Sequence, residues 1–144
     1  MFSKTCEYAI RALIFIAQKS KDGHKVGIKQ ISEGIDAPES FIAKILQILS
    51  KKSLVQSLKG PTGGFYLDHD SLQNSLADIV IAIDGDKIFV GCGLGLSFCS
   101  ENTPCPIHFK FKKVRTDIYN MLRSARLGEL QEQLESKLAY LKQQ

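Results

Sequence analysis

The chain has 144 residues, of which 44% are hydrophobic, and carries a formal net charge of +4 at pH 7. This length and composition predict one domain with a substantial core and exclude wholesale disorder. The apolar run from Ala9 to Ala17 is interrupted by Arg11 and is too short to span a bilayer, and no signal peptide is visible. We therefore expect a cytoplasmic protein with reduced thiols and no membrane partner.

Three helices are predicted in the first part of the chain. Apolar spacing predicts a helix over residues 3–18 that is buried on more than one side, and a short helix over 27–33 that ends at Gly34. Asp36 and Glu39 have the pattern of a capping box that opens a third helix. That helix is expected to turn Phe41, Ile42, Ile45, Leu46 and Leu49 inward and Ser40, Ala43, Lys44 and Gln47 outward.

A hairpin is predicted directly after these helices. Residues 54–58 and 65–67 are strand candidates, and the segment between them begins with Lys59 and is rich in glycine. Two short helices followed by a hairpin form a winged helix-turn-helix, in which the second helix enters the DNA major groove. Residues 1–67 carry ten Lys or Arg against five Asp or Glu, which favours the same half of the chain as the DNA-binding face.

The second half is predicted to contain two further helices. Ser75 and Asp78 form a capping box for a helix that ends at Asp84, and a long helix is expected from about Pro106 to Arg126. The near-heptad apolar spacing of the long helix favours pairing with a second copy in a homodimer. Its apolar positions are Phe111, Val114, Ile118, Met121, Leu122 and Ala125, and the tail that follows, with Leu130, Leu134, Leu138 and Leu141, is predicted to be a short amphipathic helix or a frayed end.

The resulting fold class is mainly α with a small β-hairpin wing: a winged helix-turn-helix plus a long dimerisation helix. We predict a DNA-binding domain over residues 1–84, a cysteine-rich loop over 85–106, the dimerisation helix over 107–128 and a tail over 129–144. No nucleophile–base pair, carboxylate pair or phosphate-binding loop occurs with usable spacing, so the chain is not expected to be an enzyme.

The cysteine-rich loop carries the most distinctive chemistry. Cys92, Cys99 and Cys105 are separated by six and five residues, and His108 follows at helical spacing from Cys105. Soft thiolates with an imidazole favour a metal or an iron–sulfur cluster over a disulfide in the cytoplasm. Zinc held by three cysteines and a histidine remains open, but the wide, glycine-rich spacing favours a cluster. Cys6 lies among apolar neighbours and is predicted to be a buried structural thiol.

Four segments resemble the IscR/NsrR-type family of winged-helix transcription regulators, and the likeness covers nearly the whole chain. They are C-E-Y-A-I-R-A-L (6–13), I-S-E-G-I-D-A-P-E-S-F-I-A-K-I-L (31–46), the wing K-G-P-T-G-G-F-Y-L (59–67), and the cysteine triad with its histidine. A fifth segment, L-G-E-L (127–130), resembles the segment after the family's dimer helix. The resemblance implies a homodimeric regulator of a double-stranded DNA operator whose affinity or site choice depends on a cluster.

The resemblance also implies roles for single residues. In IscR-like members the positions of Cys92, Cys99, Cys105 and His108 hold the iron of a 2Fe–2S cluster, which we favour over 4Fe–4S. In the nitric-oxide sensors an acidic residue of the partner's first helix binds a 4Fe–4S cluster, and Glu7 lies near that position. The DNA-contacting positions of the family correspond to Ser40, Phe41, Ala43, Lys44 and Lys59. IscR has a glutamate where this chain has Ala43, so the operator preference is expected to differ.

Two other functions remain open at this point. The same fold could act as a cluster-free repressor that responds to thiol oxidation or to a ligand. A small electron-transfer iron–sulfur protein is the third hypothesis, but the basic first half and the wing disfavour it. The signal sensed, the operator sequence and the direction of regulation do not follow from the sequence.

Overall fold

The computed structural model of the chain describes residues 1–136 and residue 141. Helices predominate, and two short antiparallel strands form the sheet, so the predicted fold class is confirmed. No helix in the described part is long and apolar enough to cross a membrane. The elements are α1 (Lys4–Lys19), α2 (Ile28–Ile35), α3 (Glu39–Lys51), β1 (Gln56–Leu58), β2 (Gly64–Tyr66), α4 (His69–Leu72), α5 (Leu76–Asp84), α6 (Lys87–Val90), α7 (His108–Ser124) and α8 (Leu127–Glu135).

Helix α1 is the centre of the core. Ser3 caps it, because the Ser3 side chain accepts a hydrogen bond from the Cys6 amide at 3.0 Å. The helix is buried on several sides by α2, α3, α5 and α8, as its broad apolar surface predicts. Leu13 and Ile16 are fully buried, and burying one such side chain stabilises the fold by about 1.5–3 kcal/mol.

The turn between α2 and α3 differs from the prediction. Helix α2 does not stop at Gly34 but continues to Ile35. The glycine leaves room for the Phe15 ring, since a Cβ at residue 34 would lie 2.2 Å from that ring. Asp36 ends α2 in a left-handed conformation (φ 54°) and is not the N-cap of α3. Pro38 occupies that N-cap position and provides no side-chain cap. The predicted Asp36–Glu39 capping box is therefore wrong, although both helices are present.

Strands β1 and β2 form the wing. Ser57 pairs with Phe65 in an antiparallel register, and Val26 adds an isolated bridge to Phe65 from the other side. Strand β1 is shorter than predicted, since Leu54 and Val55 are buried in the core rather than paired in the sheet, and β2 has the predicted length but begins one residue earlier. The hairpin tip from Lys59 to Gly63 projects beyond the paired residues.

Replacement of Gly63 with alanine is expected to distort this tip. A Cβ at Gly63 would lie 1.9 Å from the Leu58 carbonyl oxygen, so the backbone of the hairpin must move. We expect a loss of about 1–3 kcal/mol in the free energy of unfolding, measured by urea denaturation. The matched control is Thr62→Ala, which changes an exposed neighbour. Equal stability of the two variants would contradict this account of the tip.

The elements of the second half are tied together by caps and short bridges. The Ser75–Asp78 capping box at α5 is confirmed, and Gly85 ends that helix. Helix α7 begins at His108 and ends at Ser124, because the Ala125 backbone is extended and its carbonyl accepts a hydrogen bond from the Leu76 amide at 2.9 Å. The short helices α4 and α6 were not predicted.

Helix α8 packs against α1 as part of the core. Leu127 is fully buried, and Lys21 forms an ion pair with Glu135 at 2.8 Å. The amphipathic-helix prediction is therefore confirmed over Leu127–Glu135, and the alternative of a frayed end is wrong for those residues. Leu138 lies outside the described residues.

Candidate metal centre and nucleic-acid interface

The residues expected to contact DNA lie on α3 and at the tip of the wing. Ser40, Phe41 and Lys44 are exposed on α3, Ala43 is partly exposed beside them, and Lys59 is exposed at the start of the hairpin tip. Phe41 corrects a prediction, because it is 48% exposed instead of turned inward. It lies one residue before the buried stripe that begins at Ile42, and its ring rests against Tyr8 with centroids 6.0 Å apart.

The three loop cysteines come together in the structure. The sulfur atoms of Cys92, Cys99 and Cys105 all lie within 4.8 Å of one another, and the Cys92 and Cys105 sulfurs are 3.8 Å apart. All three cysteines are free thiols of intermediate exposure, whereas Cys6 is fully buried in the core, as predicted.

Tight turns bring these residues together. The Gly95 amide donates to the Cys92 carbonyl at 3.0 Å, and Gly95 itself has a φ of +73°, a conformation that glycine adopts without strain. A second turn joins Ser100 and Thr103, whose side-chain oxygens are 3.0 Å apart. The chain then returns to α7, so Cys105 lies three residues before the first residue of that helix.

His108 completes the cluster of side chains at the N-terminus of α7. Its Nδ1 lies 3.2 Å from the Cys99 sulfur. Its Nε2 is buried and has no hydrogen-bond partner, as is also true of the Nε atoms of Arg11 and Arg115 among the described residues. Nδ1 is the ring nitrogen beside the thiols, so a metal held by His108 would be bound through Nδ1.

The loop backbone stabilises one thiolate more than the others. Amides of Leu96 and Leu94 donate to the Cys92 sulfur and lower its pKa to about 7. At Cys99, a hydrogen bond from the Cys105 amide lowers the pKa, but burial and the neighbouring thiols together outweigh it and leave the pKa raised. For Cys6, burial and the nearby Asp84 raise the pKa to about 12.

These pKa differences predict the order of thiol reactivity in metal-free, reduced protein. At pH 7 roughly half of Cys92 is thiolate, and the thiolate is the nucleophile, so Cys92 is expected to react with iodoacetamide before Cys99. Cys6 is expected to stay unmodified because it is buried and protonated. Peptide mass spectrometry after timed alkylation measures the order, and faster modification of Cys99 than of Cys92 would contradict it.

The donor set fits a metal centre. Three sulfurs and one imidazole are soft and borderline ligands, which bind zinc or the iron of a cluster. The separation of 3.8 Å between the Cys92 and Cys105 sulfurs matches two ligands on one tetrahedral metal, for which a metal–sulfur bond of about 2.3 Å gives about 3.8 Å. A two-iron cluster places ligands on both irons, so one sulfur must move outward to accept it.

Glu7 is not part of this group of side chains. It lies in the first turn of α1 and forms an ion pair with Lys4 at 3.3 Å. The group of potential ligand residues gathered in the described chain comprises Cys92, Cys99 and Cys105.

Sequence reasoning missed Arg115, which is buried on α7 and donates from Nη1 to the Gly91 carbonyl. A signal was available. Arg115 lies four residues after Phe111 and three before Ile118, and therefore shares their apolar face.

The chain is similar to known regulators of transcription. The model of the Rrf2 family, described as an iron-dependent transcriptional regulator, matches residues 2–133. The transcriptional regulator IscR of Vibrio cholerae is 30% identical over 123 residues, which are 85% of this chain and 70% of that protein.

Two solved structures share the fold. CymR, the global cysteine regulator of B. subtilis, has a TM-score of 0.76 at 20% identity, and the match covers 92% of this chain and 96% of that chain. T. potens IscR has a TM-score of 0.72 at 23% identity, and the match covers 96% of this chain and 92% of that chain.

The winged helix and these relatives define a DNA-binding transcription regulator. The chain belongs to the Rrf2 family. Members of this family are regulators of transcription, so the prediction that the chain is not an enzyme is confirmed.

Proposed function

We propose that this chain is a homodimeric transcription regulator whose operator affinity or site choice is set by an iron–sulfur cluster on Cys92, Cys99, Cys105 and His108. The observation that carries the proposal is the convergence of three free thiols within 4.8 Å of one another, with His108 Nδ1 3.2 Å from the Cys99 sulfur, at the N-terminus of α7. The family description and the IscR relative support the choice of iron. We favour a 2Fe–2S cluster, and Glu7 of a second copy is the alternative fourth ligand in a 4Fe–4S scheme.

The residues of the chain would hold the group between the cysteine loop and the start of α7. The amides of Leu94 and Leu96 stabilise negative charge at Cys92, and the free N–H groups at the N-terminus of α7 favour an anion in the same place. When bound, a cluster supplies a charge and a reactivity that change with redox state or with nitric oxide. On cluster binding, the loop from 92 to 105 would become ordered against α7.

Helix α7 is the element that could transmit this ordering to DNA. It contacts α5 and α6, and beside that contact face Val114 and Met121 are 49% and 55% exposed. An exposed apolar face on a long helix suits pairing with a second copy. Such pairing would fix the spacing of two winged helices, and hence the half-sites that they reach.

A substitution on this face tests the dimer. Met121→Glu is expected to shift the protein from dimer to monomer in sedimentation velocity, because two carboxylates would be buried across a symmetric interface. Asn120→Glu, which adds one carboxylate at another exposed residue of α7, is the control with the same change in net charge. A Met121→Glu variant that sediments as the wild type does would contradict the proposed interface.

The DNA interface is proposed on α3 and the wing. Ser40, Phe41, Ala43 and Lys44 would face the major groove, and Lys59 would contact the backbone, where a lysine positions the protein without reading sequence. Their accessibility supports this assignment, as does the groove that Ala43 lines together with Ser57 and Phe65 of the wing.

The proposal is tested by measuring operator affinity with and without the cluster. A duplex selected from a random-sequence pool by the anaerobically purified protein serves as the probe. The wild-type protein, loaded or stripped of iron, is expected to bind this duplex with affinities that differ by about 5- to 150-fold. A second duplex is selected by the stripped protein. If the loaded and the stripped protein bind each of the two duplexes with equal affinity, cluster control is refuted.

A thiol switch is the second candidate, and one observation favours it. The sulfurs of Cys92 and Cys105 are 3.8 Å apart, and the lowered pKa of Cys92 makes it the more reactive thiol. A peroxide could oxidise these two thiols to a disulfide without any metal, and would itself be reduced by the two electrons that the thiols lose. Iron and sulfide content separate the two candidates, because a thiol switch needs neither.

A further inference from the structure

Arg115 connects α7 to the start of the cysteine loop. It is 9% exposed, and its Nη1 donates a hydrogen bond to the carbonyl oxygen of Gly91, the residue before Cys92. The contact joins residues 24 positions apart in the chain. A guanidinium on a helix therefore holds the peptide unit that leads into the first cysteine.

The residue after Cys92 is held by the same face of α7. The Phe111 ring, one helical turn before Arg115, packs so closely on Gly93 that a Cβ there would lie 3.1 Å from three ring carbons. The Arg115 guanidinium carbon is 5.6 Å from the centre of that ring. Both neighbours of Cys92 are thus fixed to α7, one by a hydrogen bond and the other by an aromatic contact.

The charge of Arg115 has no carboxylate partner in residues 1–136. The three ion pairs found there are Lys4–Glu7, Lys21–Glu135 and Lys112–Glu101, and the Arg115 Nε is buried without a hydrogen-bond acceptor. A buried cation without a counter-charge is costly. An anion bound at the neighbouring thiols would offset that cost.

We propose that Arg115 is a positioning residue for the metal centre: it fixes Cys92 in place before the centre is filled, and its positive charge stabilises the bound anionic group. This inference rests on the proposed function for the nature of that group. The fixing of Cys92 concerns the chain alone and can be measured without any metal.

The contrast between the two sides of the loop supports this role. The Cys99 side of the loop also reaches α7, but through its own side chains: Glu101 forms an ion pair with Lys112, and the Cys99 sulfur lies 3.2 Å from His108 Nδ1. On the Cys92 side, in contrast, Arg115 holds the backbone itself, through the Gly91 carbonyl.

Three variants test the proposal. Arg115→Gln removes the charge, Arg115→Lys keeps the charge but not the planar donor pair, and Arg123→Gln removes an exposed charge from the same helix as the control. Hydrogen exchange of the metal-free proteins, followed at residues 91–95, reports the fixing of Cys92. We expect exchange to be about tenfold faster in both Arg115 variants and unchanged in Arg123→Gln.

The reduction potential of the reconstituted cluster reports the charge. Reduction adds an electron to the cluster. Because Arg115→Gln removes a nearby cation, we expect the variant to have a lower reduction potential. A tenfold change in the one-electron equilibrium corresponds to a shift of ~59 mV. Arg115→Lys is expected to keep the wild-type potential. The same potential in Arg115→Gln and wild type would overturn the electrostatic part, and unchanged exchange at residues 91–95 would overturn the positioning part.

These readouts keep the failure of this inference separate from that of the proposed function. If the wild-type chain takes up no cluster, the proposed function fails, while hydrogen exchange of the metal-free variants still decides whether Arg115 fixes Cys92. Urea denaturation of each variant identifies any global loss of folding. If Arg115→Gln does not fold, Arg115→Lys provides the exchange measurement.

Discussion

Replacement of Cys92, Cys99 and Cys105 by serine is expected to abolish cluster binding and to change operator affinity by about 5- to 150-fold, the usual range of coupling between two sites on one protein. Serine hydroxyls do not replace thiolates as ligands of iron. The fold should be retained, because the three cysteines lie in a partly exposed loop and not in the core. The measurement is fluorescence anisotropy with the duplex that the anaerobically purified wild type selects.

The matched control is Cys6→Ala, which removes the one cysteine outside the loop. Cys6 is buried beside α5, so the variant is expected to lose some stability but to keep iron, sulfide and wild-type operator affinity. The triple variant and the loaded wild type are compared on two duplexes, one selected by the loaded protein and one by the metal-free protein. Equal affinities of the two proteins for both duplexes would show that the thiols do not control DNA binding.

The second large effect is expected at the recognition helix. Lys44→Glu should reduce operator affinity by about 100-fold or more, because it removes an attractive charge and places a carboxylate against the phosphate backbone or a base edge. Lys44 is exposed on α3, so the substitution should leave the core unchanged. Binding should fall for unrelated duplexes as well, since the phosphate backbone is common to all of them.

A charge reversal elsewhere separates this local effect from that of net charge. Lys19→Glu makes the same change at the exposed C-terminal end of α1, outside the helix-turn-helix and the wing. We expect it to weaken binding only slightly, through the longer-range field of the protein. Equal losses for Lys19→Glu and Lys44→Glu would contradict the assignment of α3 as the DNA-reading helix.

The winged helix could be predicted from sequence because its signals are local. The apolar spacing of residues 3–18 and the Ser75–Asp78 capping box each depend on neighbours within a few turns, and the structure has both elements where they were expected. The wing was recognised because glycines separate two short β-prone segments. These patterns place elements along the chain without any knowledge of how they pack.

The misplaced features depend on contacts between distant residues. Gly34 was interpreted as a helix breaker, but its role is to admit the Phe15 ring from α1. Phe41 was assigned to the core by its chemistry, whereas its ring lies on the surface against Tyr8. The docking of α8 on α1 through Leu127 depends on a contact across almost the whole chain, which helical spacing alone does not predict.

The candidate site divides in the same way. Residue type and spacing identified the three thiols and His108, because soft ligands close in sequence are rare without a shared purpose. The turns at Gly95 and Ser100, which bring the three sulfurs within 4.8 Å of one another, did not follow from residue spacing alone. The contact of Arg115 was not predicted because its hydrogen-bond partner is the backbone carbonyl of Gly91. Every residue has such a carbonyl, so the sequence does not indicate which one is used.

The most direct test of the account is the visible absorption spectrum of anaerobically purified protein, with iron and acid-labile sulfide counted per chain. We predict charge-transfer bands with about two iron and two sulfide per chain, all lost in the variant without Cys92, Cys99 and Cys105. About four of each would replace the 2Fe–2S assignment with 4Fe–4S and make Glu7 of a second copy the residue to test. A colourless protein that stays free of iron after reconstitution, yet binds its selected duplex, would contradict the proposed cluster.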